Sequence, residues 1–86
     1  MNRNAIPEVD LHRLTVEEAL ARLDELLYSA YSAGYLWVRV VHGKGTGALR
    51  LAVRRELSKH SLVKGFRAGL PSEGGEGATV VELVGR

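Results

Sequence analysis

The chain of 86 residues contains no cysteine. That absence excludes thiol catalysis, disulfide scaffolding and every thiolate zinc site, and it suits a reducing compartment. Long apolar runs are also missing. No stretch approaches the roughly 20 residues that span a bilayer, and Met1 to Pro7 lack the apolar core of a secretory signal, so a cytoplasmic location is expected. There is too little chain for a second core, which leaves one domain at residues 8–86 behind a short N-terminal extension, 1–7. With 45% hydrophobic and 26% charged residues, the composition excludes a disordered tail or a low-complexity linker. Without a disulfide, stability must come from an economical core.

A strong excess of charge is lacking too, since the formal net charge is only +2. Its distribution is uneven. From Glu8 to Glu25, six acidic residues face two basic ones, a local charge of −4. From Arg39 to Arg67, eight basic residues (Arg39, Lys44, Arg50, Arg54, Arg55, Lys59, Lys64, Arg67) face Glu56 alone, a local charge of +7. Clustered Lys and Arg bind polyanions by neutralising phosphates and releasing counterions, so the second half points to a nucleic-acid partner.

The element order reads βαβαββ. Val9-Asp10-Leu11 fits a short strand ending near His12. Thr15 opens a helix, because Thr15 and Glu18 have capping-box spacing and apolar residues recur at Val16, Ala19, Leu20, Leu23, Leu26, Leu27 and Ala30, with Gly34 as the cap. Tyr35 to Val41 reads as a largely buried strand. A second helix runs from about Ala48 to Lys59, with Leu49, Ala52, Val53 and Leu57 on one face. Leu62 to Ala68 and Ala78 to Val84 read as strands around a turn-rich loop, Pro71 to Gly77. The first strand-helix-strand unit makes its two strands parallel neighbours, so the residues after each should converge at one sheet edge, where open α/β sheets bind ligands.

The strongest local signal is His42-Gly43-Lys44-Gly45-Thr46-Gly47, between a strand and a basic helix. Glycines let backbone N–H groups approach an anion, the helix start adds partial positive charge and Lys44 adds a full one. The spacing matches neither a Walker A loop nor a dinucleotide fingerprint, which disfavours nucleotide binding and leaves a phosphate loop of another kind ahead of a glycine turn that merely connects strand to helix. Arg13, Arg50, Arg54 and Arg55 are the further cations expected at phosphates. Asp10 and His12, two apart, should project to one face and meet His42 across the edge. Two imidazoles, a carboxylate and the Lys44 ammonium suffice for phosphodiester hydrolysis, one imidazole as base, one as acid, and Lys44 against phosphorane charge. Asp10 is the one well-placed carboxylate, which leaves either a metal-free acid–base mechanism or one loosely held Mg²⁺ or Mn²⁺, with zinc on Asp10, His12 and His42 ranked lower. His60 is assigned to the second helix's terminus. Tyr28, Tyr31, Tyr35 and Trp37 are assigned to core and rim packing in preference to base stacking, and Gly74-Gly75-Glu76-Gly77 to a lid or a plain hairpin.

These motifs resemble the Smr (small MutS-related) domain. Val9-Asp10-Leu11-His12 is similar to the family's L-D-L-H-G motif, with Arg13 where glycine is usual. The segment from His42 to Arg50 is similar to H-G-K-G-x-G-x-L-R, and Gly74 to Val80 to G-G-x-G-x-T-x. The resemblance implies an α/β two-layer sandwich with a four-stranded mixed sheet and two helices. It implies an endonuclease that nicks or incises DNA, including branched recombination intermediates, as part of a MutS-type protein that suppresses homologous recombination. The alternative it implies is a non-catalytic module that binds branched DNA or ribosomal RNA, including at collided ribosomes. ATPase domains of a longer parent protein are the implied partners.

Overall fold

The computed structural model describes residues 6–85, so residues 1–5 of the expected extension, and Arg86, lie outside the described residues. Local chemistry sets the first helix, α1 (Val16–Ser32). The Thr15 hydroxyl accepts from the Glu18 N–H (3.1 Å), and the Glu18 carboxylate accepts from the Thr15 N–H (3.0 Å), so two orphan donors are satisfied reciprocally. Those hydrogen bonds to Thr15 hold the Glu18 carboxyl below its ordinary range. Ala19, Leu23, Leu27 and Ala30 form the buried stripe, and the Gly34 and Tyr35 N–H groups close the helix on Tyr31 O (3.1 Å) and Ala30 O (3.0 Å).

Strand β1 (Glu8–Asp10) pairs in parallel with β2 (Trp37–Val41), in the register Asp10 to Val41. Helix α2 (Ala48–Lys59) leads to β3 (Val63–Ala68), and β4 (Ala78–Leu83) inserts antiparallel between β2 and β3, giving the order β1-β2-β4-β3. The result is the expected βαβαββ sandwich with a mixed four-stranded sheet and two helices. The ladder reaches back to Pro7, whose carbonyl accepts from the Arg39 N–H (2.9 Å), so this residue of the expected extension belongs to the sheet.

Right-handed crossovers put both helices on one face of the sheet, where they pack against each other. Leu11, Leu23, Leu27, Val38, Val40, Val53, Leu57, Val81 and Leu83 fill the layer between. Among the described residues the sheet's other face carries no helix. That one-sided cover corrects the reading of Tyr35 to Val41 as a largely buried strand: only Val38 and Val40 are buried, while Trp37 is 40% exposed. On the uncovered face Glu8 and Arg39 pair (2.6 Å) across β1 and β2. Pro71–Glu73 and Gly75–Gly77, expected as loop, are two short 3₁₀ turns. Arg67 grips the Glu73 carboxylate with both terminal nitrogens (2.8 and 3.2 Å) and the Leu70 N–H donates to it, which together drop the Glu73 carboxyl to about 2.

Candidate functional site

The turn after β1 forms the first wall of the site. The ladder continues one residue past the strand, Leu11 N–H donating to Val41 O (2.7 Å) with the Leu11 side chain fully buried. The chain then turns, so His12 sits beyond the strand and the expected strand-face pairing with Asp10 is replaced by a turn contact. Asp10 Oδ1 accepts from the His12 N–H (3.0 Å) and lies 3.9 Å from His12 Nδ1. Both side chains are well exposed, Asp10 the more so, and the carboxylate stands behind the imidazole instead of lining the cleft. Arg13 follows with φ at +72°.

The loop after β2 forms the second wall. His42 N–H and Gly43 N–H both donate to Gly77 O (3.0 and 2.9 Å), so the segment before β4 clamps the glycine loop in place. Gly43 has φ at +76°, and a Cβ there would stand 3.4 Å from His12 Cδ2. This close approach brings the two walls together as the topology predicts. Gly47, with φ at +86°, starts α2 without a side-chain cap, and the first turn holds no acidic residue. Thr46 Oγ1 accepts from the Ala48 N–H (3.3 Å). Thus the positive end of α2 is left uncompensated beside Lys44, whereas Glu17 and Glu18 already occupy the start of α1. A cleft of about 580 Å³ lies between, lined by His12 to Val16 and by His42 to Leu49.

His42 differs from expectation. It is 4% exposed, with Nδ1 at 2.9 Å from Gly43 O and Nε2 at 2.9 Å from Thr79 Oγ1. A carbonyl only accepts, so Nδ1 carries the hydrogen, and the Thr79 hydroxyl donates to Nε2 of the neutral ring. Burial pushes its pKa down, the Gly43 carbonyl opposes, and Arg54 and Arg50 push it further down. Neither ring nitrogen is free for a water, a leaving oxygen or a metal. The zinc set on Asp10, His12 and His42 is therefore corrected, and among the described residues no three His, Asp or Glu side chains gather at ligand spacing.

The basic stretch is also redistributed. Arg39, Arg50, Lys59, Lys64 and Arg67 are matched by Glu8, Glu76, Glu56, Glu82 and Glu73 at 2.6, 3.2, 3.6, 3.6 and 2.8 Å. Among the described residues Lys44, Arg13, Arg54 and Arg55 have no ion pair, and Lys44 and Arg13 line the cleft. Arg50, Arg54 and Arg55 do not line it, although Arg50 and Arg54 reach His42 electrostatically. The Arg54 Nε is buried without a hydrogen-bond partner. Sequence reasoning missed Thr79, Glu76 and the Gly77 carbonyl as parts of the site; the signal was the glycine-rich segment just before the last strand. His60 stands apart, as expected. Its Nδ1 accepts from the Leu62 N–H (3.2 Å), so Nε2 donates to Asp24 (2.8 Å), and Tyr28 packs edge-on against the ring. No Tyr or Trp lines the cleft.

Comparison with known proteins agrees with this arrangement. A family model described as Smr domain matches residues 9–84. The Endonuclease MutS2 of Pelotomaculum thermopropionicum is 52% identical over 81 residues, 94% of this chain and 10% of that protein. That of Thermomicrobium roseum is 57% identical over 77 residues, 90% of this chain and 10% of that protein. The chain therefore spans about 10% of the length of these curated relatives. The crystal structure of the Smr domain of Thermus thermophilus MutS2 superposes with a TM-score of 0.89 at 48% identity, covering 92% of this chain and 99% of that one. YdaL, a stand-alone small MutS-related protein from Escherichia coli, superposes at 0.86 with 29% identity, over 93% of this chain and 68% of that one. With the β1 turn, the glycine loop, both helices and strands β2, β3 and β4 inside the matched span, the chain belongs to the Smr domain family.

Proposed function

We propose that this Smr domain binds the sugar-phosphate backbone of DNA in the cleft and hydrolyses a phosphodiester bond there as an endonuclease. The observation that carries this reading is the exposed His12 imidazole against Gly43, with the Asp10 carboxylate 3.9 Å behind it and Lys44 on the facing loop. His12 takes a proton from water as its oxygen bonds to phosphorus. Lys44 and the positive end of α2, which has no acidic residue in its first turn, meet the charge growing on the phosphoryl oxygens. The P–O bond to the leaving oxygen then breaks, and the proton returns to that oxygen. Asp10 holds the His12 turn through the backbone N–H and places a negative charge 3.9 Å from the ring, and His42 is a positioning residue that fixes the glycine loop. The donor set does not build a protein-held metal centre. A hydrated Mg²⁺ or Mn²⁺ would be carried on the substrate phosphates, since Asp10, the nearest carboxylate, does not line the cleft. In the cell the reading assigns the domain a cytoplasmic place and branched recombination intermediates as targets, working with ATPase domains of a MutS-type protein that suppresses recombination.

Supercoiled plasmid tests this proposal. The parent domain should nick it, with His12→Ala and Lys44→Ala severely impaired, and parallel reactions with EDTA report the metal requirement. Equal nicking by all three proteins assigns the activity to a contaminant. A second reading has specific support, because both His42 ring nitrogens are engaged within the fold, which leaves His12 as the one cleft imidazole with a ring free for proton transfer: a binding module without cleavage, holding branched DNA or ribosomal RNA, including on collided ribosomes. Salt-sensitive binding without nicking at any metal concentration selects it.

A further inference from the structure

Among the described residues Arg13 is the one non-glycine residue with positive φ, at +72°. An L side chain in this left-handed region crowds the following carbonyl, and the turn is held by His12 N–H on Asp10 and Leu14 N–H on Leu11 O (3.1 Å). Those turn hydrogen bonds set the backbone, but the Arg13 side chain takes no part in them: it is exposed and has no hydrogen bond or ion pair among the described residues. It lines the cleft on the β1 wall, opposite Lys44 on the glycine-loop wall. Two unpaired cations facing each other across one cleft, one of them a large cation where the turn favours glycine, point to an anionic ligand.

We propose that Arg13 is a phosphate-binding residue and that, with Lys44, it makes the cleft a site for two linked phosphates. This rests on the nucleic-acid reading of the cleft and adds to it a second phosphate position on the β1 wall, which favours a polynucleotide strand over a mononucleotide or free phosphate. One phosphate sits at Lys44 and the start of α2. The next along the strand takes the Arg13 guanidinium, whose planar fork suits two phosphoryl oxygens.

The test titrates a fluorescein-labelled DNA oligonucleotide with the parent domain, Arg13→Gly, Arg13→Lys and Lys44→Ala over a salt series. Arg13→Gly should bind about tenfold more weakly, and its slope of log affinity against log salt should fall by about 1. Its melting temperature should rise by about 4 °C, because glycine relieves the turn. Arg13→Lys keeps the charge but not the planar fork, so its salt slope should match the parent while its affinity falls between those of the parent and Arg13→Gly. Inorganic phosphate and AMP should compete poorly with the oligonucleotide. If Lys44→Ala weakens binding while Arg13→Gly changes neither affinity nor slope, the role of Arg13 is refuted and the reading of the cleft stands. Binding by the parent that is independent of salt overturns both.

Discussion

His42 invites a catalytic reading, and its geometry argues for a structural one. Thr79 is fully buried and its hydroxyl supplies the hydrogen bond to Nε2 at 2.9 Å. Thr79→Val keeps the shape of the side chain and removes that donor, leaving a buried ring nitrogen unsatisfied at a cost of about 1–3 kcal/mol. The central value, about 2 kcal/mol, corresponds to a fall of about 8–16 °C in melting temperature for a domain of this size. His42→Ala loses the contact to Gly43 O as well, strands the Thr79 hydroxyl and leaves a void, for a total of about 3–5 kcal/mol. Urea unfolding of the three proteins measures these differences, and DNA affinity is then read under conditions where each is folded. Thr79→Val should bind DNA within about twofold of the parent, since the contact acts through the loop's position and not on phosphate. If His42→Ala is as stable as the parent and yet abolishes cleavage, the ring is a proton shuttle and the structural account fails.

Three further outcomes follow from the same contacts. Because burial lowers the His42 pKa in the fold, the unfolded chain binds the proton more readily, so stability contributed at neutral pH is lost as pH falls through the window beneath 6.5. Urea unfolding at about pH 7.5 and about pH 5 should show that loss, and His42→Asn should shrink it. The Glu76 carboxylate pairs with Arg50 at 3.2 Å near the cleft, so Glu76→Gln should free a cation and tighten DNA binding by about two- to fivefold, as fluorescence anisotropy would report. Gly43→Ala forces a left-handed alanine and sets a Cβ 3.4 Å from the His12 ring. It should cost about 1–2 kcal/mol in unfolding experiments and weaken DNA binding, and a neutral result would mean the two walls are not in contact.

What could be read from the sequence was the chemistry that acts over a few residues. The Thr15 to Glu18 capping box, the α1 stripe and the glycine loop are local patterns, and each forms as its spacing requires. The convergence of the β1 turn with that loop was legible too, because a parallel crossover fixes it. Hidden features depend on partners brought in by the antiparallel insertion of β4. Thr79 meets His42 from 37 residues away, and the Gly77 carbonyl meets two loop N–H groups, so burial converts an expected acid–base group into a pin. Arg39, Lys64 and Arg67 look like part of a basic stretch until Glu8, Glu82 and Glu73 arrive beside them. Composition alone gave no sign that one face of the sheet would stay uncovered, which is why Trp37 looked buried.

The central claim is that unpaired cations at the cleft, and not the basic stretch as a whole, bind nucleic-acid phosphates. The most direct measurement compares Lys44→Ala with Lys64→Ala in the salt dependence of DNA binding, because Lys44 lines the cleft whereas Lys64 is paired with Glu82 on the sheet. Lys44→Ala should reduce the slope by about 1, and Lys64→Ala should leave it unchanged. Equal reductions for both would contradict the claim.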